Sequence, residues 1–309
     1  MVNKGRGFQR GWWLVLITIG VMYTASVPFF FIQPAEDSFL FAFCGELVLI
    51  IPVIVGMFML FWEQLPQGVA GSVGFCGFPV KLLPFVILLP MAAQPFAGFL
   101  LLPVQGLLTF LFGGEDYSDL IQADSAEAFL QSFFLLCIAA PILEEIICRG
   151  VLMQLFRRYG TAVMLLYSSL GFALLHLSAQ SLIPLFFLGV VLGVIRLTSG
   201  SIFASMIAHA ACNLYSLTLL GAGALPMPVE WLIVVAGVAL FPVLGWFYLK
   251  RCDALVDWKS AFTEKYSPVG FSVGFAIVCA VFLLVNVFLL ISRFINGTLL
   301  YDMYQMMPN

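Results

Sequence analysis

The stretch "APILEEIICRGVL", residues 140–152, places two adjacent carboxylates, Glu144 and Glu145, and a guanidinium, Arg149, in a long apolar run. Further along, "FALLH" runs from Phe172 to His176, and "HAACN" from His209 to Asn213. These are the chain's two histidines, and both fall in apolar segments. An ionisable group in such surroundings is costly and reads as functional by default. A buried glutamate can take a proton from water. An imidazole can hold that water or protonate a leaving amine. A second imidazole and an amide on one helix face can donate hydrogen bonds to a developing oxyanion. That set suffices for water to attack an amide bond. Glu144, His176 and His209 also suit a three-ligand zinc site with water in the fourth position. Residue types alone do not separate the two mechanisms. The HExxH pattern of common zinc proteases is absent.

Helix geometry sorts these groups. Glu145 and Arg149 are four apart and share a face, with the acid on the favourable N-terminal side. Glu144 points about 100° away, so one acid can pair with the arginine while the other faces a cavity. Phe172 and His176 are also four apart, as are His209 and Asn213. Pro141 has no N–H, which in a regular helix leaves the carbonyl of Cys137 without its partner.

The elements that must carry these residues follow from composition. The chain has 309 residues, 62% hydrophobic and 9% charged, against about a quarter charged in a soluble domain. It reads as an all-α, polytopic transmembrane helical bundle. Nine apolar segments are drawn at 11–32, 39–62, 82–112, 128–158, 161–179, 183–198, 201–221, 229–249 and 269–292. Each is helical, because hydrocarbon offers the backbone no other partner. The third segment holds Pro84, Pro90, Pro95 and Pro103 and should kink or break, so the count is about nine, within eight to ten. The apolar run from Trp12 to Ile32 exceeds the ~7–15 residues of a signal-peptide core and reads as a retained first span. No linker or repeat divides the chain, so 1–309 reads as one membrane domain. Within it, 128–221 is the catalytic core, with 1–127 and 222–309 as flanking spans.

Orientation comes from the basic residues. With the N-terminus cytoplasmic, Lys4, Arg6, Arg10, Lys81, Arg157, Arg158, Lys250, Arg251, Lys259 and Lys265 fall inside, and Arg293 falls outside. The acidic loop "GGEDYSDLIQADSAE" and the pair Glu36–Asp37 also fall outside. No basic stripe points to nucleic acid. Seven scattered cysteines without a CxxC pair read as small apolar residues. Trp12, Trp13, Trp62 and Trp258 read as interfacial anchors, "SPVG" as the start of the last helix, Gly189 and Gly193 as close-packing positions, and Asn286 as interhelical glue. Glu46 stands alone in the second segment and reads as a structural acid.

Depth tests whether the chemistry can assemble. At ~1.5 Å per residue from the cytoplasmic end, Glu144 lies roughly 21 Å in and His176 roughly 22 Å in. His209 lies roughly 12–18 Å in and Asn213 roughly 18–24 Å in, on the same scale. Three helices thus present unusual residues at one level, provided the fourth helix runs unbroken to Arg158.

These residues resemble a known family. "EEIICR", "FALLH" and "HAACN" are similar, in order and spacing, to the EExxxR, FxxxH and HxxxN signatures of the CPBP intramembrane proteases. That group includes the CAAX prenyl endopeptidases and the abortive-infection and bacteriocin-processing homologues. The resemblance implies Glu144 as catalytic base, His176 as the residue positioning water, and His209 and Asn213 as the oxyanion site. It makes Glu145 and Arg149 a supporting ion pair and Phe172 a packing residue. The family has been described both as glutamate-dependent and as metal-dependent; an asparagine beside His209 favours the former. A divalent metal such as zinc, where one is used, would take Glu144, His176 and His209.

The expectation is an integral-membrane endopeptidase of the cell membrane whose site opens to the cytoplasm. Its partners are the bilayer and a membrane-associated peptide or protein, prenylated CAAX-type or bacteriocin-like. The alternative from another class is a proton-coupled transporter, or a scaffold or immunity protein, using the same buried charges.

Overall fold

The computed structural model describes residues 6–31, 38–63, 65, 67–112, 125–221, 225–252 and 272–297. Among them the regular structure is helical throughout. We number the helices α1 (Arg6–Phe31), α2 (Ser38–Leu47), α3 (Ile50–Phe61), α4 (Gly68–Val73), α5 (Leu83–Leu100) and α6 (Leu102–Phe112). Then come α7 (Ala126–Tyr159), α8 (Thr161–Leu175), α9 (Ala179–Ser199), α10 (Ile202–Gly221), α11 (Met227–Cys252) and α12 (Val273–Ile295). Seven stretches are long and apolar enough to cross a membrane: Phe43–Phe61, Val80–Leu100, α7, Ile202–Leu219 of α10, α9, α11 and α12. Helix α1 adds 26 residues, and α6 and α8 are shorter apolar helices. All nine expected segments are therefore helical. Lys4, Glu36, Asp37, Trp258, Lys259, Lys265, the "SPVG" stretch and most of the acidic loop lie outside the described residues.

Three departures from the expected pattern have local causes. The third segment breaks at Leu101, two residues before Pro103, because Pro103 has no N–H to offer the carbonyl of Phe99 four residues earlier and its ring crowds that group. Pro90 and Pro95 stay within α5. The fifth segment does not continue to residue 179. Helix α8 stops at Leu175, Leu177 takes a positive φ of 48°, and Ser178 caps α9 by accepting the Ser181 N–H at 3.1 Å. At ~1.5 Å per residue α8 is only ~22 Å long, short of a ~30 Å hydrocarbon core.

The third departure is in α7, which runs unbroken for 34 residues, as the depth argument required. It widens into π-helical turns at Phe134–Ala139 and Ile146–Leu152. In the first, the Ala140 N–H reaches back five residues to the Leu135 carbonyl. The carbonyl that Pro141 cannot serve is therefore that of Leu136, not Cys137. Such bulges in helices often accompany functional sites.

The ends of the bundle differ in charge. Glu63 pairs with Arg10 at 2.9 Å and with Arg158 at 3.3 Å, joining the start of α1 to the ends of α3 and α7. Arg196 donates to the carbonyls of Ser72 and Val73, and Gln154 donates to the same Ser72 carbonyl. Arg293, at the far end of α12, donates to the Phe110 carbonyl at 2.8 Å.

Trp12 is not an interfacial anchor. It is fully buried, with its ring against Phe275 and Phe156 at 4.5 and 5.9 Å. Its position one residue inside the first span hid the fact that α1 is packed against α7 and α12. Trp13 and Trp62 are exposed. Among the cysteines, Cys137, Cys148, Cys212 and Cys252 are buried, but Cys44 and Cys76 are exposed.

Close packing of α8 on α9 holds the middle of the bundle. A methyl group on Gly189 would sit 3.0, 3.1 and 3.2 Å from the Cβ, Cα and carbonyl oxygen of Ser169. Two of those atoms are backbone and cannot swing away. Gly189→Ala should therefore cost about 1–3 kcal/mol, the usual range for overpacking. The check is thermal unfolding of the detergent-purified protein, and an unshifted midpoint would show that the two helices are not in contact there.

Candidate active site

The site grows from one turn of α7. Glu145 Oε1 and Arg149 Nη1 are 2.7 Å apart, and both side chains are completely buried. The spacing of four residues sets them on one face, as the sequence indicates. Arg149 also donates through Nη2 to the Gly189 carbonyl of α9 at 3.0 Å. Its guanidinium lies 4.5 Å above the Phe172 ring of α8. A buried arginine can be accommodated this way because its fork offers several donors and its flat face stacks on an aromatic ring.

His209 of α10 completes this layer. Its Nδ1 is 3.1 Å from Glu145 Oε1. An ionised carboxylate only accepts, so the ring proton belongs on Nδ1. Nε2 is thereby turned toward Glu144, whose Oε2 stands 3.9 Å away. That separation exceeds a direct hydrogen bond but can be spanned by a water molecule touching both groups. Glu144 differs from its neighbour in access: its side chain keeps 16% of its exposure, whereas Glu145 keeps none.

Phe172 links the two imidazoles. Its ring makes edge contacts with His176 at 5.2 Å and with His209 at 5.5 Å between centroids. His176 is not inside a helix but at the C-terminal cap of α8, where it is exposed. Its Nδ1 lies 3.0 Å from the Phe172 carbonyl, so Nε2 is the nitrogen left to meet water or substrate.

Asn213 lies one turn beyond His209. Its Nδ2 donates to the Leu136 carbonyl at 2.7 Å, the group stranded by Pro141. The amide carries a second N–H and a carbonyl oxygen beyond that bond. Glu144, Glu145, Arg149, Phe172, His176 and His209 thus form one contact network, and Asn213 joins it through α10 and the widened turn of α7.

Among the described residues, no three histidine, cysteine, aspartate or glutamate side chains are arranged to hold a metal ion. Both Nδ1 atoms are engaged, by Glu145 and by the Phe172 carbonyl. Each Nε2 is left free, as it is in metal-bound histidines, but Glu144, His176 and His209 are not grouped as a ready-made metal site.

Two participants were not legible in the sequence. Glu46, read as solitary, lies close enough to Glu144 to interact with its charge. Its Oε2 is buried without a hydrogen-bond partner among the described residues. Its place in an apolar segment was the only signal. Gly189 was recognised as a packing position, but its carbonyl is also an acceptor for Arg149, and every residue type carries a carbonyl.

Residues 126–215 match the family model described as type II CAAX prenyl endopeptidase Rce1-like. The resemblance to the CPBP and CAAX proteases is thus shown over that segment, which runs from the start of α7 to Tyr215 of α10. No curated protein matches, and no solved structure does either.

The ion pair generates a prediction. Arg149→Met would leave the Glu145 carboxylate buried without its cation. Breaking such a pair from one side costs about 3–5 kcal/mol. Unfolding in detergent should show a loss of that order, and a midpoint equal to that of the unaltered protein would refute the pairing.

Proposed function

We propose that this integral membrane protein is an endopeptidase in which Glu144 activates water against a peptide bond of a membrane-associated substrate. The match to CAAX-type endopeptidases supports an intramembrane peptidase. The observation that carries the finer reading is the 3.9 Å gap between Glu144 Oε2 and His209 Nε2. It opens beside a histidine whose other nitrogen rests on the buried Glu145–Arg149 pair.

Water lodged against Glu144 gives its proton to that carboxylate as its oxygen bonds to the substrate carbonyl carbon. His176, at the exposed end of α8, orients the water. The carbonyl oxygen becomes an oxyanion, and donors already aimed at that position stabilise it at little reorganisation cost. Asn213 offers the N–H not used on Leu136. His209, whose Nδ1 is held by the Glu145 carboxylate, presents Nε2 to the same space. The C–N bond then breaks, the proton on Glu144 passes to the departing amine, and a carboxyl terminus and an amine leave.

Next to Asn213, Gln94 of α5 donates to the Cys212 carbonyl at 3.0 Å. Gln94 also lines a cavity of about 330 Å³ whose walls include Ala97, Leu101, Pro184 and Leu188. That apolar space suits a lipid tail or apolar side chain on the substrate. We place the N-terminus and the opening of the site on the cytoplasmic side, because the basic residues gather at the end where Arg10, Glu63 and Arg158 meet. Residues 128–221 form the catalytic core of a single membrane unit.

The test is cleavage of a fluorogenic peptide ending in a prenylated cysteine motif, alongside an unmodified counterpart, by protein in liposomes. Glu144→Gln should lower kcat by about 10²–10⁴, the usual contribution of a general base, with the melting midpoint kept. Cleavage that survives this substitution would remove Glu144 from the chemistry. A chelator followed by zinc should leave the rate unchanged; loss and recovery would establish a metal-dependent hydrolysis instead.

A further inference from the structure

The short helix α8 creates a difficulty that its own sequence does not solve. At ~22 Å it is too short to cross a ~30 Å hydrocarbon core, so the turn 176–178 interrupts the helical backbone pattern within the span. Non-helical backbone survives there only if protein or a wet cavity satisfies it. The turn also contains Leu177 at a φ of 48°, a conformation that a bulky residue adopts rarely and only when its surroundings impose it.

We propose that Asn286 of α12 is the positioning residue for His176. Its amide grips the backbone on both sides of Ser178. Oδ1 accepts the Ala179 N–H at 2.9 Å. Nδ2 donates to the Leu177 carbonyl at 3.0 Å and to the Phe282 carbonyl of its own helix at 2.9 Å. Both N–H groups and the oxygen are therefore used, and the residue is 96% removed from solvent, at 4% relative exposure. Ordinary interhelical glue joins one helix to another along their length. Here both partners on the other side are backbone atoms within three residues of His176.

The consequence for His176 is mechanical. Behind it, Nδ1 rests on the Phe172 carbonyl. Ahead of it, Leu177 has a buried side chain and a clamped carbonyl. With both neighbours held, the ring of an otherwise exposed residue keeps one direction. The clamp comes from outside the segment 126–215 that matches the peptidase family, which gives the last helix a specific task in the site. This inference rests on the peptidase reading for its kinetic consequence only.

Two substitutions test it in the full-length protein with ¹⁵N-labelled histidine. The chain has two histidines, so the ring spectra of His176 and His209 can be followed side by side. Asn286→Ala removes the whole clamp. Ala179→Pro replaces the N–H that Asn286 accepts by a ring carbon, which ends that bond, at the first position of α9, where proline is well tolerated by the helix itself. In both, the His176 ring signals should shift while those of His209 stay in place. With the prenylated peptide, kcat should fall about 10- to 100-fold, as misplacement of a reacting group by ~1 Å can cost, with KM within about twofold. Unmoved His176 signals in both variants, or His176 and His209 signals shifting together, would overturn the assignment, as would unchanged kcat in a protein that cleaves. If the unaltered protein cleaves nothing, the peptidase reading fails, and the histidine spectra still decide whether the clamp exists.

Discussion

A buried charge in hydrocarbon must find its opposite, and the pairing of Glu145 with Arg149 is where this bundle meets that demand. Coulombic attraction alone barely offsets the desolvation of two ions. The surplus comes from what else the pair touches. The Gly189 carbonyl takes one arm of the guanidinium, Phe172 lies beneath its face, and His209 shares the carboxylate. These contacts draw α8, α9 and α10 onto one turn of α7. The charged pair therefore fixes the mutual placement of the four helices that carry the candidate chemistry. Glu144, next in sequence but turned off that face, is left partly accessible.

The same economy governs the backbone. A membrane-buried helix that deviates from its regular pattern strands polar groups that water would otherwise satisfy. Helix α7 widens ahead of Pro141 and strands the Leu136 carbonyl; Asn213 covers it. Helix α8 stops short and strands the groups around Leu177; Asn286 covers those. In each case an amide with both donor and acceptor fills the need. In each case, too, the irregular backbone lies beside a residue of the site. The asparagines make that irregular geometry tolerable.

Much of this was readable from residues alone. Low charge and long apolar runs require helices that span a membrane. The prolines of the third segment anticipated its break at Leu101. The spacing of Glu145 and Arg149 guaranteed their contact, because residues four apart on a helix are neighbours whatever surrounds them. Other readings failed where the local rule had two outcomes. Pro141 had to strand a carbonyl, but whether that of Cys137 or Leu136 depended on the register of a widened turn. Trp12 at the start of a span suits an interface or a core, and neighbouring helices decided for the core.

What the sequence by itself determined, then, is the class of the protein, the course of its spans and the short-range pairs within each helix, together with the motifs that resemble the CPBP proteases. These follow from composition and from the fixed 3.6-residue turn. What only the tertiary structure decided are contacts between helices. They include the nearness of Glu46 to Glu144, the support of Arg149 by a glycine carbonyl 40 residues away, and the hold of Asn286 on a turn more than 100 residues earlier. The physical reason is that such contacts depend on how far each helix is rotated, tilted and cut short against its neighbours. Those quantities are set jointly by the packing of the whole bundle.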